Sequence, residues 1–252
     1  MTMLRILPLV ALLGRSRAMS VRSATTAGPL RVLCLHGKGG SAREFAERTK
    51  FVSELLPPGE VELVCVDAPH SLGEGRGFAW WSQAPDGARS YEAERFVGAN
   101  ESLAAIRTAW TDQPFDALLG HSQGAMLAAM VVAGCAGDAV RPRAAIMTGA
   151  AWPRPFGDAL RALAARDGAT IPPTLHVLGR ADGINPPEMG LEVAECCGAE
   201  ALVHWHDGGH IVPSDAASCE VFRAFLARIT ERPEGSQSEE SNYERYCRTS
   251  IW

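Results

Sequence analysis

The sequence has no hydrophobic run long enough to cross a membrane, since no stretch of about 18 uninterrupted apolar residues occurs in it. It also lacks a strong charge of either sign: the formal net charge is −5, and no basic cluster lies within residues 30–230. We therefore expect neither stable membrane insertion nor a nucleic-acid partner. Apolar residues at 46% and charged residues at 21% are the proportions of an ordinary globular protein.

Paired cysteine motifs are missing as well. The 7 cysteines are an odd number, and no CxxC spacing occurs. Cys34 and Cys65 lie in apolar, strand-like runs, where a thiol packs as a small apolar side chain. The adjacent pair Cys196 and Cys197 has no evident role, and a disulfide or redox pair there is the alternative. We expect free thiols and a reducing compartment.

Acidic residues are absent from the N-terminal part of the chain, where none precedes Glu44. The leader, residues 1–29, is typical of a mitochondrial or plastid transit peptide because it carries four arginines: Arg5, Arg15, Arg17 and Arg22. The short apolar run Ile6–Leu13 keeps a secretory signal as a rival, and an untargeted start is the third alternative. We expect a cytoplasmic or organellar location. The polar, aperiodic residues 231–252 predict a disordered tail.

Residues 30–230 alternate short apolar runs with helix-like segments, which predicts an α/β domain with a mostly parallel six-stranded sheet. The predicted strands are Arg31–His36, Val61–Asp67, Phe115–Leu119, Ala144–Thr148, Thr174–Leu178 and Ala201–Trp205. The predicted helices are Ala42–Leu55, Tyr91–Trp110, Gln123–Cys135, Phe156–Ala165, Pro187–Cys197 and Asp215–Ile229. Right-handed crossovers place helices on both faces of such a sheet.

The segment GHSQG at residues 120–124 fits the G-x-S-x-G pattern of a nucleophile elbow. An apolar strand precedes it and a helix rich in Ala, Met and Leu follows, which is the context that the elbow requires. Ser122 is then the candidate nucleophile, held at the tip of a sharp strand-to-helix turn. An ordinary turn serine is the alternative, but the flanking elements favour the nucleophile.

A serine nucleophile needs a base and a carboxylate that orients it. His210 lies in a glycine-rich loop, DGGHIVP, after the last predicted strand, where an α/β sheet presents its functional groups. The chain order Ser…Asp…His favours Asp182, which follows the strand TLHVLG. Asp207, three residues before His210, is the competing carboxylate.

The tetrahedral intermediate of acyl transfer needs two backbone N–H donors. The residue after the nucleophile, Gln123, is expected to supply one of them. The loop HGKGGS at residues 36–41 is expected to supply the other, from Lys38 or Gly39. The sequence does not decide between these two residues.

Three aromatic residues, Phe78, Trp80 and Trp81, lie in the long connection over residues 68–90. Long loops in compact domains are usually functional. If the three rings line an acyl pocket, we expect medium or longer acyl esters to be preferred over acetate. The equally weighted alternative is that the rings belong to the core.

Taken together, the motifs resemble those of the FSH family of serine hydrolases, from about Leu30 to Ile229. The resemblance rests on LCLHG (33–37), DAPH (67–70), GHSQGA (120–125), GRADGINPP (179–187) and GGHIVP (208–213). It implies an α/β-hydrolase fold with little or no cap domain, and a carboxylesterase that uses Ser122, Asp182 and His210 without a metal or cofactor. His121 stands where the family commonly has Phe, and Asn185 where it has an aliphatic residue.

We expect a carboxylesterase acting on a small-molecule acyl ester. A thioesterase or lysophospholipase with the same residues is the first alternative. A non-catalytic ligand-binding protein on the same fold is the second, because a fold does not fix a function. The presence of all three catalytic residue types favours an enzyme. The oligomeric state is left open.

Overall fold

The computed structural model describes residues 28–166 and 171–231. The strands are β1 (Leu30–Leu35), β2 (Val61–Val66), β3 (His70–Ser71), β4 (Phe78–Ala79), β5 (Ser82–Ala84), β6 (Arg95–Val97), β7 (Ala117–His121), β8 (Ala144–Thr148), β9 (Thr174–Gly179) and β10 (Ala201–His206). The helices are α1 (Ala42–Ser53), α2 (Ala99–Asp112), α3 (Gln123–Val132), α4 (Gly157–Ala164), α5 (Pro187–Cys196) and α6 (Ala216–Thr230). The predicted leader up to residue 27 and the predicted tail from residue 232 lie outside the described residues.

Six of the strands form one parallel sheet in the order β10-β9-β8-β7-β1-β2. Every residue of β7, β8 and β9 is buried, as expected for strands covered by helices on both faces. The chain adds β2 on one side of β1 and then β7 on the other. The strand order therefore reverses between β1 and β7, and ligands of open α/β sheets bind beyond the carboxyl ends of the strands at such a point.

The helices cover both faces of this sheet, which confirms the prediction of a two-sided α/β fold. Helices α1 and α6 enclose one apolar cluster, which includes Phe45, Phe222 and Phe225. The other face is covered by α2, α3, α4 and α5, and its cluster includes Trp110 and Met130. All ten residues of α3 are buried, because this helix lies in the middle of its layer.

The predicted helix over Tyr91–Trp110 is wrong in its first part. Residues 95–97 form β6, which pairs antiparallel with β5, and α2 begins only at Ala99. Arg95 and Val97 are exposed while Phe96 between them is buried, which is the alternation of a strand. Gly98 separates strand from helix with a φ of 92°.

The connection between β2 and α2 consists of two small antiparallel pairs, β3 with β4 and β5 with β6. It forms no helix between Val66 and Ala99, so that this segment contributes no helical cap over the sheet edge. Within the described ranges, no helix is long and apolar enough to span a membrane.

The cysteines within the described residues are free thiols. Cys196 and Cys197, whose role the sequence leaves open, are both buried at the end of α5. Burial raises the pKa of Cys197 to about 12, so its thiolate is scarcely populated near neutral pH. The pair therefore packs as part of the apolar cluster beneath α5.

Candidate active site

Ser122 occupies a strained turn between β7 and α3. Its φ of 56° and ψ of −117° make it the sole non-glycine residue with a positive φ in the part of the chain that the structure describes. Its N–H donates to the Thr148 carbonyl at 2.9 Å, and its own carbonyl accepts from the Met126 N–H at 3.0 Å. These hydrogen bonds keep Ser122 in its strained backbone conformation. Strained conformations of this kind are common at functional residues.

Two glycines allow this turn to form. A Cβ on Gly124 would collide with the Leu35 carbonyl of β1, and one on Gly120 would collide with the Gly124 carbonyl. Helix α3 can thus approach the sheet closely only because both side chains are hydrogen. This explains the glycines on either side of Ser122 in the elbow pattern.

The loops after β9 and β10 bring Asp182 and His210 together. His210 Nδ1 lies 2.7 Å from Asp182 Oδ2, and the Asp182 side chain is almost completely buried. The other carboxylate oxygen, Oδ1, accepts the backbone N–H groups of Ile184 and Asn185, each at 2.9 Å. The carboxylate is therefore fixed on both oxygens, and Nε2 is the ring nitrogen of His210 left for chemistry.

Asn185 also supports the His210 ring from a second direction, which the sequence did not predict. Its side-chain amide donates to the Gly149 carbonyl at 2.7 Å. Gly149 has a φ of 58°, and a Cβ there would lie 3.1 Å from the His210 ring. The polar residue at this position is thus used to hold the backbone beneath the imidazole.

The competing carboxylate, Asp207, lies elsewhere. Its side chain is 97% exposed and lies 3.3 Å from the Arg180 guanidinium. The structure therefore pairs His210 with Asp182 rather than with its neighbour in sequence.

In the loop after β1, one of the two candidate oxyanion donors, Lys38 and Gly39, has a free backbone N–H. The Gly39 N–H donates to the Phe78 carbonyl at 2.8 Å, so it is already engaged. The N–H groups of Lys38 and Gln123 have no acceptor within the described residues. A Cβ on Gly37 would lie 3.2 Å from Ser122 Cβ, so this loop runs directly against Ser122. Lys38 and Gln123 are the donors that remain available.

His36 braces the same loop and is another residue that the sequence reasoning missed. Its Nδ1 lies 2.7 Å from the Gly37 carbonyl, and its Nε2 accepts from the Ala68 N–H at 3.0 Å. This pairing places the ring proton on Nδ1. Burial lowers the pKa of His36, so the ring is neutral in this role. His36 belongs to the LCLHG motif, but the motif alone does not show whether this histidine supports the loop or acts as a general base.

The prediction that Trp80 and Trp81 line a substrate pocket is corrected, because neither residue has exposed surface. The Trp80 indole N–H donates to the His36 carbonyl at 2.8 Å, and the Trp81 ring stacks on Phe96 with centroids 4.5 Å apart. The Gln123 side chain joins the two residues: it accepts from the Trp80 N–H at 2.8 Å and donates to the Trp81 carbonyl at 2.9 Å. They are core residues that support the loop after β1.

Phe78 differs from the two tryptophans because it is only partly buried. It borders a surface cleft of about 420 Å³ that also includes Gly39, Ser41 and Glu44. The same three residues line the cavity at Ser122, so the two spaces adjoin. Phe78 therefore lies beside the catalytic cavity and not within it.

The cavity that contains Ser122 and His210 has a volume of about 350 Å³. Three of its twelve lining residues are glycines, and Phe45 is the one apolar side chain among them. The other lining residues are polar or charged. The aromatic acyl pocket that the sequence suggested as one alternative is therefore not what surrounds Ser122. Ser122 and His210 share this cavity without a hydrogen bond between their side chains.

His121 packs directly beside His210, with the two ring centroids 4.7 Å apart. Its Nδ1 lies 3.0 Å from Thr148 Oγ1, whose hydroxyl donates to the Gly120 carbonyl at 3.2 Å. Burial, followed by the charges of His210 and Arg48, lowers the pKa of His121 to about 3. His121 is therefore neutral at physiological pH and is not a second general base.

The remaining histidines are engaged in local contacts away from the nucleophile. Burial lowers the pKa of His176 to about 3, and its Nε2 lies 3.0 Å from Thr174 Oγ1. Hydrogen bonds to nearby residues also engage His70, His204 and His206. Residues 28–166 and 171–231 contain no group of three His, Cys, Asp or Glu side chains placed to hold a metal ion.

The family described as Serine hydrolase (FSH1) matches residues 25–221 of the chain. The chain belongs to this family. Among its relatives, Esterase OVCA2 of Danio rerio is 33% identical over 235 residues, which cover 81% of this chain and 99% of the relative. FSH1 membership and the esterase relatives identify the chain as an ester hydrolase of the serine type.

Solved structures share the same fold. The crystal structure of esterase PE8 superposes with a TM-score of 0.61 and 21% identity, covering 81% of this chain and 94% of that one. Acyl-protein thioesterase 2 of Zea mays superposes with a TM-score of 0.59 and 20% identity, covering 83% and 97%. At this identity the likeness concerns the fold, which is the α/β-hydrolase fold expected from the motifs.

Proposed function

We propose that this FSH1-family chain is a carboxylesterase in which Ser122 is the nucleophile, His210 the general base and Asp182 the orienting carboxylate. The observation that carries the proposal is the 2.7 Å hydrogen bond between His210 and the buried Asp182, at the cavity that also contains Ser122. Nucleophile–base hydrogen bonds are often long in substrate-free enzymes and tighten when substrate binds.

In the proposed reaction, Ser122 Oγ attacks the ester carbonyl while His210 Nε2 takes its proton. Asp182 holds the proton on Nδ1 and stabilises the imidazolium that forms. The Lys38 and Gln123 N–H groups donate to the developing oxyanion. The imidazolium then protonates the leaving alcohol, and water attacks the acyl-enzyme by the same steps, so that the acid is released and Ser122 is restored.

A thioesterase reaction would use the same residues and differ in its leaving group. The lysophospholipase alternative requires room for a long apolar chain, and the mainly polar lining of the cavity disfavours it. A purely binding role is disfavoured by the fixed orientation of the His210 ring, which a ligand-binding protein does not require. Ester and thioester substrates with identical acyl groups would separate the first two reactions.

The test is covalent labelling by a fluorophosphonate probe combined with turnover of 4-nitrophenyl butyrate. We expect stoichiometric labelling of the protein at Ser122. Ser122→Ala should lose labelling and about 10⁶-fold in kcat, as removal of a triad serine typically does. Ser82→Ala, at an exposed serine of β5, is the matched control and should keep both. Labelling that persists in Ser122→Ala would place the nucleophile elsewhere.

We also propose a cytoplasmic or organellar location for the protein, on the basis of its arginine-rich, acid-free leader. The free thiols within the described residues are compatible with a reducing compartment.

A further inference from the structure

One cationic side chain in the wall of the catalytic cavity has no role in the proposed reaction. Arg48 is an exposed residue of α1, and it lines the cavity together with Ser122 and His210. An exposed cation at this place gains nothing from a neutral ester, but it can pair with a negative charge on a bound substrate.

The other basic residues of α1 have such partners on the helix itself. Arg43 lies 3.6 Å from Glu47, and Lys50 lies 3.5 Å from Glu54, both at i,i+4 spacing. Arg48 has no carboxylate within 4.0 Å among the residues that the structure describes. Arg48 is thus the basic residue of α1 that faces the cavity and that makes no ion pair among the described residues; Glu44, at i,i+4 spacing from it, lies more than 4.0 Å away.

The remaining charges of the cavity wall leave this site cationic. Lys38 contributes a second positive charge, and its Nζ lies 3.3 Å from Gln83 Oε1. Glu44 contributes one negative charge, but its carboxylate accepts from the Ser41 hydroxyl at 3.2 Å as part of the N-terminal cap of α1. The field of Arg48 also reaches the floor of the cavity, since after burial and His210 it is the next cause that lowers the pKa of His121.

We propose that Arg48 binds an anionic group of the substrate, so that the natural ester carries a carboxylate or phosphate in addition to the bond that is cleaved. This inference rests on the proposed esterase function and names its substrate class. A guanidinium presents paired N–H donors that match the two oxygens of such a group. The scissile carbonyl would then lie at Ser122 while the anion is held at α1.

The experiment compares esters that differ by one carboxylate group. 4-Nitrophenyl valerate and the 4-nitrophenyl monoester of glutaric acid test an anion on the acyl side, with the spontaneous hydrolysis rate subtracted. Phenyl butyrate and 3-carboxyphenyl butyrate test an anion on the alcohol side. The readout is the ratio of kcat/KM for the anionic ester to that for the neutral ester, in wild type, Arg48→Gln and Arg48→Lys. Arg43→Gln is the matched control on the same helix.

In at least one of the two pairs, we expect wild type to favour the anionic ester and Arg48→Gln to lower the ratio by about tenfold or more, as loss of a charge-assisted hydrogen bond does. Arg48→Lys should retain part of the wild-type preference for the anionic ester, and Arg43→Gln should retain all of it. Because the interaction is exposed, added salt should lower the wild-type ratio. A ratio that Arg48→Gln leaves unchanged in both pairs would overturn the inference, while the esterase proposal would stand.

A second readout separates the inference from the reaction itself. Free glutarate should slow fluorophosphonate labelling of Ser122 in wild type and Arg43→Gln, but much less in Arg48→Gln. Protection that is equal in wild type and Arg48→Gln, or absent from both, would also count against an anion site at Arg48. Failure of the probe to label wild type at all would instead refute the proposed function.

Discussion

Trp80 and Trp81 form a pair of adjacent, fully buried side chains whose indole N–H groups are in opposite situations. The Trp80 indole donates to the His36 carbonyl at 2.8 Å, whereas Nε1 of Trp81 has no acceptor among the described residues. Substitution of Trp80 or Trp81 by Phe removes the same atoms, so a difference between the two variants reflects their surroundings. We predict that Trp80→Phe destabilises the protein substantially more than Trp81→Phe.

The magnitude follows from the two hydrogen-bonding situations. Trp80→Phe removes the donor from the His36 carbonyl in the core, and an unsatisfied buried group costs about 1–3 kcal/mol. Trp81→Phe removes an N–H that is already unpaired, so a penalty of about the same size disappears and offsets the lost packing. The free energies of unfolding of the two variants should therefore differ by about 2–6 kcal/mol.

Urea denaturation of wild type and both variants measures this difference, and equal m-values would show that the unfolded states are comparable. Trp80→Phe should also lower kcat, because the His36 carbonyl adjoins the segment that presents the Lys38 N–H. Trp81→Phe should keep kcat near the wild-type value. Equal losses of stability in the two variants would refute the reasoning from hydrogen bonds.

Three further predictions concern the site, the buried histidines and the leader. Asp182→Asn should lower kcat by about 10⁴-fold, and Asp207→Asn by less than about tenfold, in a steady-state ester assay; the reverse ranking would move the acid to Asp207. His121 and His176 bind protons below about pH 6.5 only when the chain unfolds, so the free energy of unfolding should fall on acidification towards pH 4, by about 1.4 kcal/mol per pH unit for each. Urea melts of His121→Phe should show a slope that is smaller than the wild-type slope by about 1.4 kcal/mol per pH unit. Residues 1–27 fused to a fluorescent reporter should direct it to an organelle, and a uniformly cytosolic signal would contradict the transit-peptide interpretation.

The elements that could be predicted closely are those whose signals are local in sequence. The predicted strand Ala144–Thr148 agrees with β8 at both ends, because four of its five residues are apolar and all five are buried. The beginning of α2 could not be predicted in this way. Phe96 is buried by Trp81 and by pairing with β5, and these contacts join segments whose proximity the sequence does not show.

The candidate site shows the same division. Ser122 and His210 stand in glycine-containing motifs that indicate the local backbone geometry, so both could be chosen as candidates from the sequence. The choice of Lys38 over Gly39 required the Phe78 carbonyl, which takes up the Gly39 N–H from a distant strand. Arg48 could not be singled out from sequence because it stands in no motif, and the proposal for it depends on the lack, among the described residues, of the ion pair that Arg43 and Lys50 each make on the same helix.

The incorrect pocket prediction for Trp80 and Trp81 has the same cause, because contacts between distant segments are not visible in the sequence. An aromatic residue after a strand end fits a pocket wall and a core equally well from sequence. The Gln123 side chain hydrogen-bonds the backbone of both residues and holds their segment in the core. This contact is what makes the two rings core residues.

The hydrogen bond between Asp182 and His210 joins the loops after β9 and β10, and β10 forms the outer edge of the sheet. Domains are synthesised from the N-terminus, so the elbow at Ser122 leaves the ribosome well before β10 and α6 do. If Ser122 and His210 act as proposed, a nascent chain therefore carries the nucleophile without its base. Hydrolytic activity would appear only when the last strand adds to the edge, and ribosome-bound chains of graded length could be used to time that event.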